Sequence, residues 1–227
     1  ARTLLKELTS ADLSNEAFPF LTTQEIEIAG VCVRALRVTF VGELGWELHI
    51  PVDGARAVYA ALKEAGAKHG LLDAGYRATE SLRLEKGYRI WGRDITPDSS
   101  PLEAGLGFVT KLSSEIPFLG RDALLREREA GAPKKRLATF KVADSDCILL
   151  GRETIYRDGE LAGYLSSGGW GYTTACAIGL GYVRAEPAIS REELLSSSYE
   201  LEVATERIPC EVTLSSLYDP ERSKVLS

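Results

Sequence analysis

Apolar and polar residues alternate with a period of two early in the chain. Residues 25–28 and 31–38 read as strands joined through Gly30, and 46–50 as a third strand after the glycine-bearing turn at Gly42 and Gly45. Pro51 ends that run. The period then lengthens, because Val58, Ala61, Leu62 and Ala65 recur at i, i+3, i+4 and i+7 and share one side of a helix running to Lys68. Asp53 is its expected N-cap, and Gly66 and Gly70 its exit. A second helix is predicted over 74–85, closed by Gly87, and a short one over 118–129.

Beyond Ala130-Gly-Ala-Pro133 the pattern changes to short runs of strand composition, at 136–142, 154–156, 161–165, 178–183, 199–203 and 210–214. Arg157-Asp-Gly159 is a turn signal between two of them. Ser166-Ser-Gly-Gly-Trp-Gly171 lacks the spacing of a phosphate-binding loop and does not lead into a helix, so a tight hairpin or bulge is expected there. The fold class expected is α+β: an antiparallel sheet with covering helices, followed by a small C-terminal β-barrel. The predicted domains are 1–132 and 133–227.

Composition fits a soluble globular chain, with 44% hydrophobic and 26% charged residues among 227. A net charge of −6 argues against nucleic acid as the main partner. No apolar run approaches the roughly 18–20 residues of a membrane span, so no membrane partner is expected. Cys32, Cys147, Cys176 and Cys210 are widely spaced without a C-x-x-C pair and read as reduced, mostly buried thiols. The chain opens on Ala1, inside an amphipathic pattern, and reads as part of a longer protein.

Candidate chemistry is sparse. Only His49 and His69 are present, so no multi-histidine metal site is expected, and neither G-x-S-x-G nor a dinucleotide fingerprint occurs. The turn at 42–45 brings backbone close to its surroundings and places Trp46 and Glu47 on opposite faces of the next strand. A carboxylate there is suited to paired N–H donors on the edge of a flat heterocycle, while a solvated strand residue is the plainer reading. His49 reads as a structural histidine. Arg83 and Glu85 read as an internal ion pair or a helix-surface pair rather than as ligand groups.

Phe40-Val-Gly-Glu-Leu-Gly-Trp-Glu47, Gly75-Tyr-Arg-Ala-Thr-Glu-Ser-Leu-Arg-Leu-Glu-Lys-Gly87 and Pro101-Leu-Glu-Ala-Gly-Leu-Gly-Phe108 together resemble the folate-binding domain shared by the glycine-cleavage T-protein and the sarcosine and dimethylglycine dehydrogenases. Asp12-Leu-Ser-Asn-Glu-Ala-Phe-Pro-Phe20 and Ala65-Gly-Ala-Lys-His-Gly70 draw the likeness toward the sarcosine dehydrogenases. The resemblance is dense from about Leu4 to Leu124 and thinner beyond. It implies a partial T-protein-like folate-binding domain followed by the aminomethyltransferase-type barrel.

By that resemblance, Glu47 binds the pterin, and Phe40 and Phe108 offer aromatic surface where the T-protein carries a tyrosine and a tryptophan. Trp91 and Tyr88 are further candidates to line a cavity, with core packing the favoured reading of both. The T-protein arginine that meets the folate tail falls on Thr79, so that charge is missing. Arg77 lies about 200° away round a helix and does not replace its direction. No catalytic residue is carried over, because the family's catalytic aspartate lies N-terminal to this stretch.

The implied cofactors are tetrahydrofolate and, in a preceding part of the parent protein, FAD, so the implied partners are folate and an FAD-binding domain of the same chain. The implied activity is oxidative N-demethylation, with the one-carbon unit passed to tetrahydrofolate as 5,10-methylenetetrahydrofolate. The compartment implied is the cytoplasm in a bacterium or the mitochondrial matrix in a eukaryote. Two alternatives share the fold, a glycine-cleavage aminomethyltransferase and a non-catalytic relative such as the regulatory subunit of pyruvate dehydrogenase phosphatase.

Overall fold

The computed structural model describes residues 1–143, 146–188 and 190–227. Packing divides them into two compact units, Ala1–Thr79 with Asp219–Ser227, and Glu80–Tyr218. The division at 132/133 expected from Pro133 therefore does not coincide with the packing division at 79/80. The reason lies within the second unit, where Leu84 joins an apolar cluster with Leu137, Cys176, Ile178 and Leu180. Ser81 also donates a 2.6 Å hydrogen bond to the Trp170 carbonyl.

The first unit holds a three-stranded antiparallel sheet in the order β1 (Thr23–Ile28), β2 (Val31–Leu36), β3 (Glu47–His49). Its register pairs Ile26 with Val33 and Ala35 with Leu48. Ile26, Ile28, Val33 and Ala35 thereby turn to one face, where they form the core with Leu13, Phe18 and Val58. Besides α1 (Arg2–Leu5), the unit contains α2 (Val52–Gly66). This helix begins one residue before the expected cap: Pro51 occupies the N-cap, and Asp53 sits in the first turn, where its charge complements the helix dipole. Gly54 permits close approach, since a Cβ there would lie 2.4 Å from Val31 Cγ1. Gly70, at φ +69°, ends the 3-10 turn Ala67–His69 that follows.

α3 (Tyr76–Glu85) leads into the second unit and is closed by Gly87 at φ +67°. After Gly120 comes α4 (Arg121–Glu129), three residues later than expected. The strands β4 (Lys135–Val142), β5 (Thr154–Arg157), β6 (Glu160–Gly171), β7 (Cys176–Arg184), β8 (Tyr199–Val203) and β9 (Glu206–Thr213) close a barrel in the order β4-β7-β6-β5-β8-β9. Phe140, Leu165, Val183 and Leu201 fill its interior. Residues on the other face of β7 pack under Leu84, so this strand is covered on both sides and reads as an apolar run rather than an alternation.

Asp158-Gly159 makes the two-residue hairpin between β5 and β6, both residues at positive φ. The glycine-rich stretch is not itself the next hairpin. It extends β6 to Gly171, with a bulge between Leu165 and Ser167. The short helix α5 (Arg191–Ser196) lies between β7 and β8, and α6 (Ser223–Leu226) closes the described chain in the first unit. All four cysteines are free; Cys147 and Cys176 are buried, whereas Cys32 is exposed, contrary to the expectation of mostly buried thiols.

Candidate functional site

The connection between β2 and β3 is ordered from its first residues. Thr39 Oγ1 accepts hydrogen bonds from the backbone N–H groups of Val41 at 3.3 Å and Gly42 at 3.0 Å, and Gly42 takes φ +82°. A side-chain acceptor bonding two successive amides fixes a turn without using the strand ladder. The chain re-enters the sheet with Glu47 opposite Leu36.

Strand alternation then separates the side chains. Leu48 packs on the core, while Glu47 and His49 share the other face. Trp46 also joins the core side, edge-on to Phe18 at 6.0 Å, with the Arg2 and Arg37 guanidinium carbons 5.8 and 6.0 Å from its ring centre. Glu47 is 56% exposed, and its Oε2 lies 3.9 Å from His49 Nε2, the imidazole being 62% exposed. Its carboxylate thus retains lone pairs for a bidentate contact. His49 is an exposed neighbour of that carboxylate rather than a satisfied structural histidine.

Phe40 opens the same connection and is 38% exposed. Phe108 belongs to the second unit, on the 3-10 turn Gly107–Val109, and is 80% exposed. Trp91 is exposed as well, at 70%, which corrects the expectation of core packing. Tyr88 is partly buried.

The second unit contains a buried polar network. Arg83, fully buried, donates to Asp94 Oδ2 at 2.7 Å, to Ser167 Oγ at 2.7 Å and to the Tyr88 carbonyl at 3.0 Å, and also pairs with Glu80. Ser166 Oγ donates to the other Asp94 oxygen at 2.5 Å. Glu85, also buried, receives the N–H groups of Thr173 and Thr174 at 2.6 and 2.8 Å. Arg83 and Glu85 are thus both internal, but the pair expected between them does not form: Arg83 is held by Asp94 and Glu80, and Glu85 by backbone N–H groups. Thr79 is partly buried and Arg77 exposed. Among the described residues no group of three or more His, Cys, Asp or Glu is placed to hold a metal ion. No helix there is long and apolar enough to cross a membrane.

Residues 1–114 match the GCVT N-terminal domain, and 135–219 the glycine cleavage T-protein C-terminal barrel domain. Human mitochondrial sarcosine dehydrogenase is 46% identical over 99% of this chain and 24% of its own length. Mouse mitochondrial dimethylglycine dehydrogenase is 38% identical over 81% of the chain and 21% of its own length. The chain therefore spans about a quarter of the length of these curated relatives. Among solved structures, the glycine cleavage system aminomethyltransferase T from Bartonella henselae superposes with a TM-score of 0.76 at 25% identity, covering 93% of this chain and 55% of that one.

Proposed function

The chain belongs to the glycine cleavage T-protein family, and from that membership we propose that it is the folate-binding portion of a sarcosine or dimethylglycine dehydrogenase-like flavoprotein. In this reading it helps pass the one-carbon unit released by oxidative N-demethylation to tetrahydrofolate. The FAD chemistry belongs to a separate part of the parent protein, and the compartment is the mitochondrial matrix in a eukaryote or the cytoplasm in a bacterium.

The observation that carries the reading is Glu47. Its carboxylate leaves the face of β3 opposite the core, beside a glycine turn, with His49 Nε2 at 3.9 Å. Two carboxylate oxygens side by side match the paired N–H donors of a pterin edge, in geometry and in charge. Within the first unit Phe40 adds an exposed aromatic face of the kind that stacks on flat rings, with no polar atom that would need a partner; Phe108, also exposed, is a separate candidate in the second unit. The donor set therefore fits a folate. When bound, tetrahydrofolate supplies the nucleophilic nitrogens that take up the one-carbon unit. The chain's own part is to orient the ring, through the Glu47 carboxylate.

Titration of the protein with tetrahydrofolate, followed by tryptophan fluorescence, tests this, in the chain and in the longer protein that carries it. Glu47→Gln replaces one acceptor oxygen with a donor, and affinity is expected to fall at least tenfold. Equal affinity of wild type and variant removes Glu47 from the role, and no binding by the longer protein removes the folate reading. The likeness to an aminomethyltransferase favours a second reading, transfer from an aminomethyl-lipoyl carrier protein, which an assay with that carrier separates.

A further inference from the structure

A cation pair faces itself across the barrel. Lys135 at the start of β4 and Arg184 at the end of β7 are direct partners in the antiparallel register. Directly opposed residues place their Cβ atoms about 4.5–5.5 Å apart, and like charges in that arrangement destabilise the sheet. Lys135 is partly compensated, by Glu103 at 3.4 Å and by the Asp98 carbonyl at 2.6 Å. Arg184 is exposed, and its guanidinium makes no ion pair with another described residue.

Both side chains line a cavity of about 350 Å³ on the outer face of the barrel, where Arg93, Tyr164, Ser166 and Tyr182 also reach it. That volume lies within the range of small-molecule sites. Asp94 and Asp98 line it as well, and Arg93 is already paired with Glu80 at 3.0 Å. Asp94 is buried and held by Arg83, by Ser166 and by the Ile90 N–H at 3.0 Å, and Glu103 already faces Lys135. Tyr182 donates its hydroxyl to the Asp94 carbonyl at 2.9 Å, and its ring lies 5.2 Å from the Lys135 ammonium. The cavity thus offers a ligand the Arg184 guanidinium and the Tyr164 hydroxyl, beside a Lys135 ammonium that already faces Glu103 and next to the Asp98 carboxylate.

We propose that this cavity binds the oxyanion group, carboxylate or phosphate, of a small molecule, bridged between Arg184 and Lys135. The bound anion converts a repulsive cross-strand pair into two charge-assisted contacts, with the Arg184 guanidinium offering parallel N–H donors. None of Glu47, Phe40 and Phe108 is in this site, so its test stands apart from the folate reading.

Thermal melting and calorimetric titration of the 227-residue chain test the assignment, with inorganic phosphate and glutarate as probes against sodium chloride at matched ionic strength. The expected result is a saturable rise in melting temperature with at least one probe, as mass action requires of any ligand that binds only the folded state. A response to phosphate alone assigns a phosphate group, and one to glutarate alone a carboxylate. Arg184→Gln is expected to weaken binding at least tenfold. Arg184→Glu is expected to melt higher than wild type without probe, because the pair becomes attractive, and to lose the response altogether. Shifts no larger than with chloride, or an undiminished shift in Arg184→Gln, overturn the proposal.

Discussion

Arg83 Nη1 lies 2.7 Å from Asp94 Oδ2, and both side chains are completely removed from solvent. The pair ties the end of α3 to the segment before the barrel, and Ser166 and Ser167 of β6 each add a hydrogen bond to it. A buried pair of this kind adds little over an apolar replacement of both partners, but removing Asp94 leaves the buried Arg83 charge with Glu80 alone to balance it among the described residues. Asp94→Asn is therefore expected to destabilise the barrel unit by about 3–5 kcal/mol. Denaturant unfolding monitored by far-UV circular dichroism measures it, and a cost below about 1 kcal/mol is inconsistent with the pair as described.

Glycine-rich β6 is a second point of sensitivity. A Cβ on Gly168 would lie 2.6 Å from the Gly151 nitrogen and 2.7 Å from the Leu149 carbonyl carbon, both backbone atoms that no rotamer change relieves. Gly168→Ala is expected to cost about 1–3 kcal/mol through overpacking. Gly159→Ala provides the contrast. A Cβ there meets nothing within 4 Å, so only the backbone cost of φ +85° is paid. Melting temperatures of the two variants separate close approach from backbone strain.

These glycines also show where sequence reading succeeds and stops. Asp158-Gly159 is legible because a two-residue hairpin needs positive φ at both positions, a local requirement with a local signature. The run 166–171 uses the same residue type for a non-local reason, to let the 149–151 backbone and Leu84 pack against the strand, and it therefore resembles a turn when read alone. Glu47 is legible as a residue directed away from the core because strand alternation fixes it. Neither the partners of Arg83 nor the cross-strand meeting of Lys135 and Arg184 is legible, since both depend on which distant segments pair.

The capping box of α5 was open to sequence reading as Ser190-x-x-Glu193. Ser190 Oγ accepts from the Glu193 N–H at 3.1 Å, and Glu193 accepts from the Ser190 N–H at 2.7 Å. Ser190→Ala is expected to lower stability by about 1 kcal/mol in denaturant unfolding. The Ser190 backbone N–H holds the Glu193 carboxyl below its usual range. Its contribution is present above the ordinary carboxylate pKa and is lost as pH falls through the lowered one. Ser190→Ala keeps that backbone N–H, so its deficit should persist in acid, whereas Glu193→Gln should remove the acid-dependent part, and an unchanged acid dependence in Glu193→Gln rules out the reciprocal bond.

Alkali probes the barrel at the β8 and β9 pair, where Tyr199 and Cys210 are direct cross-strand partners. Burial raises both, the tyrosine from 10.0 to about 12 and the thiol from 9.0 to about 12. A group whose pKa is raised by folding keeps the folded state favoured below its unfolded pKa. Between the two values the unfolded chain holds fewer protons, so stability falls as pH rises. The slope is about 1.4 kcal/mol per pH unit for each group inside its window. Stability is expected to decline from about pH 9 through the thiol and more steeply from about pH 10 as the phenol joins it. Cys210→Ala should abolish the first part of the decline and leave the second. Denaturant midpoints between pH 8 and 11 measure both, and parallel wild-type and variant curves over that interval would mean that the Cys210 thiol is not held protonated by the fold.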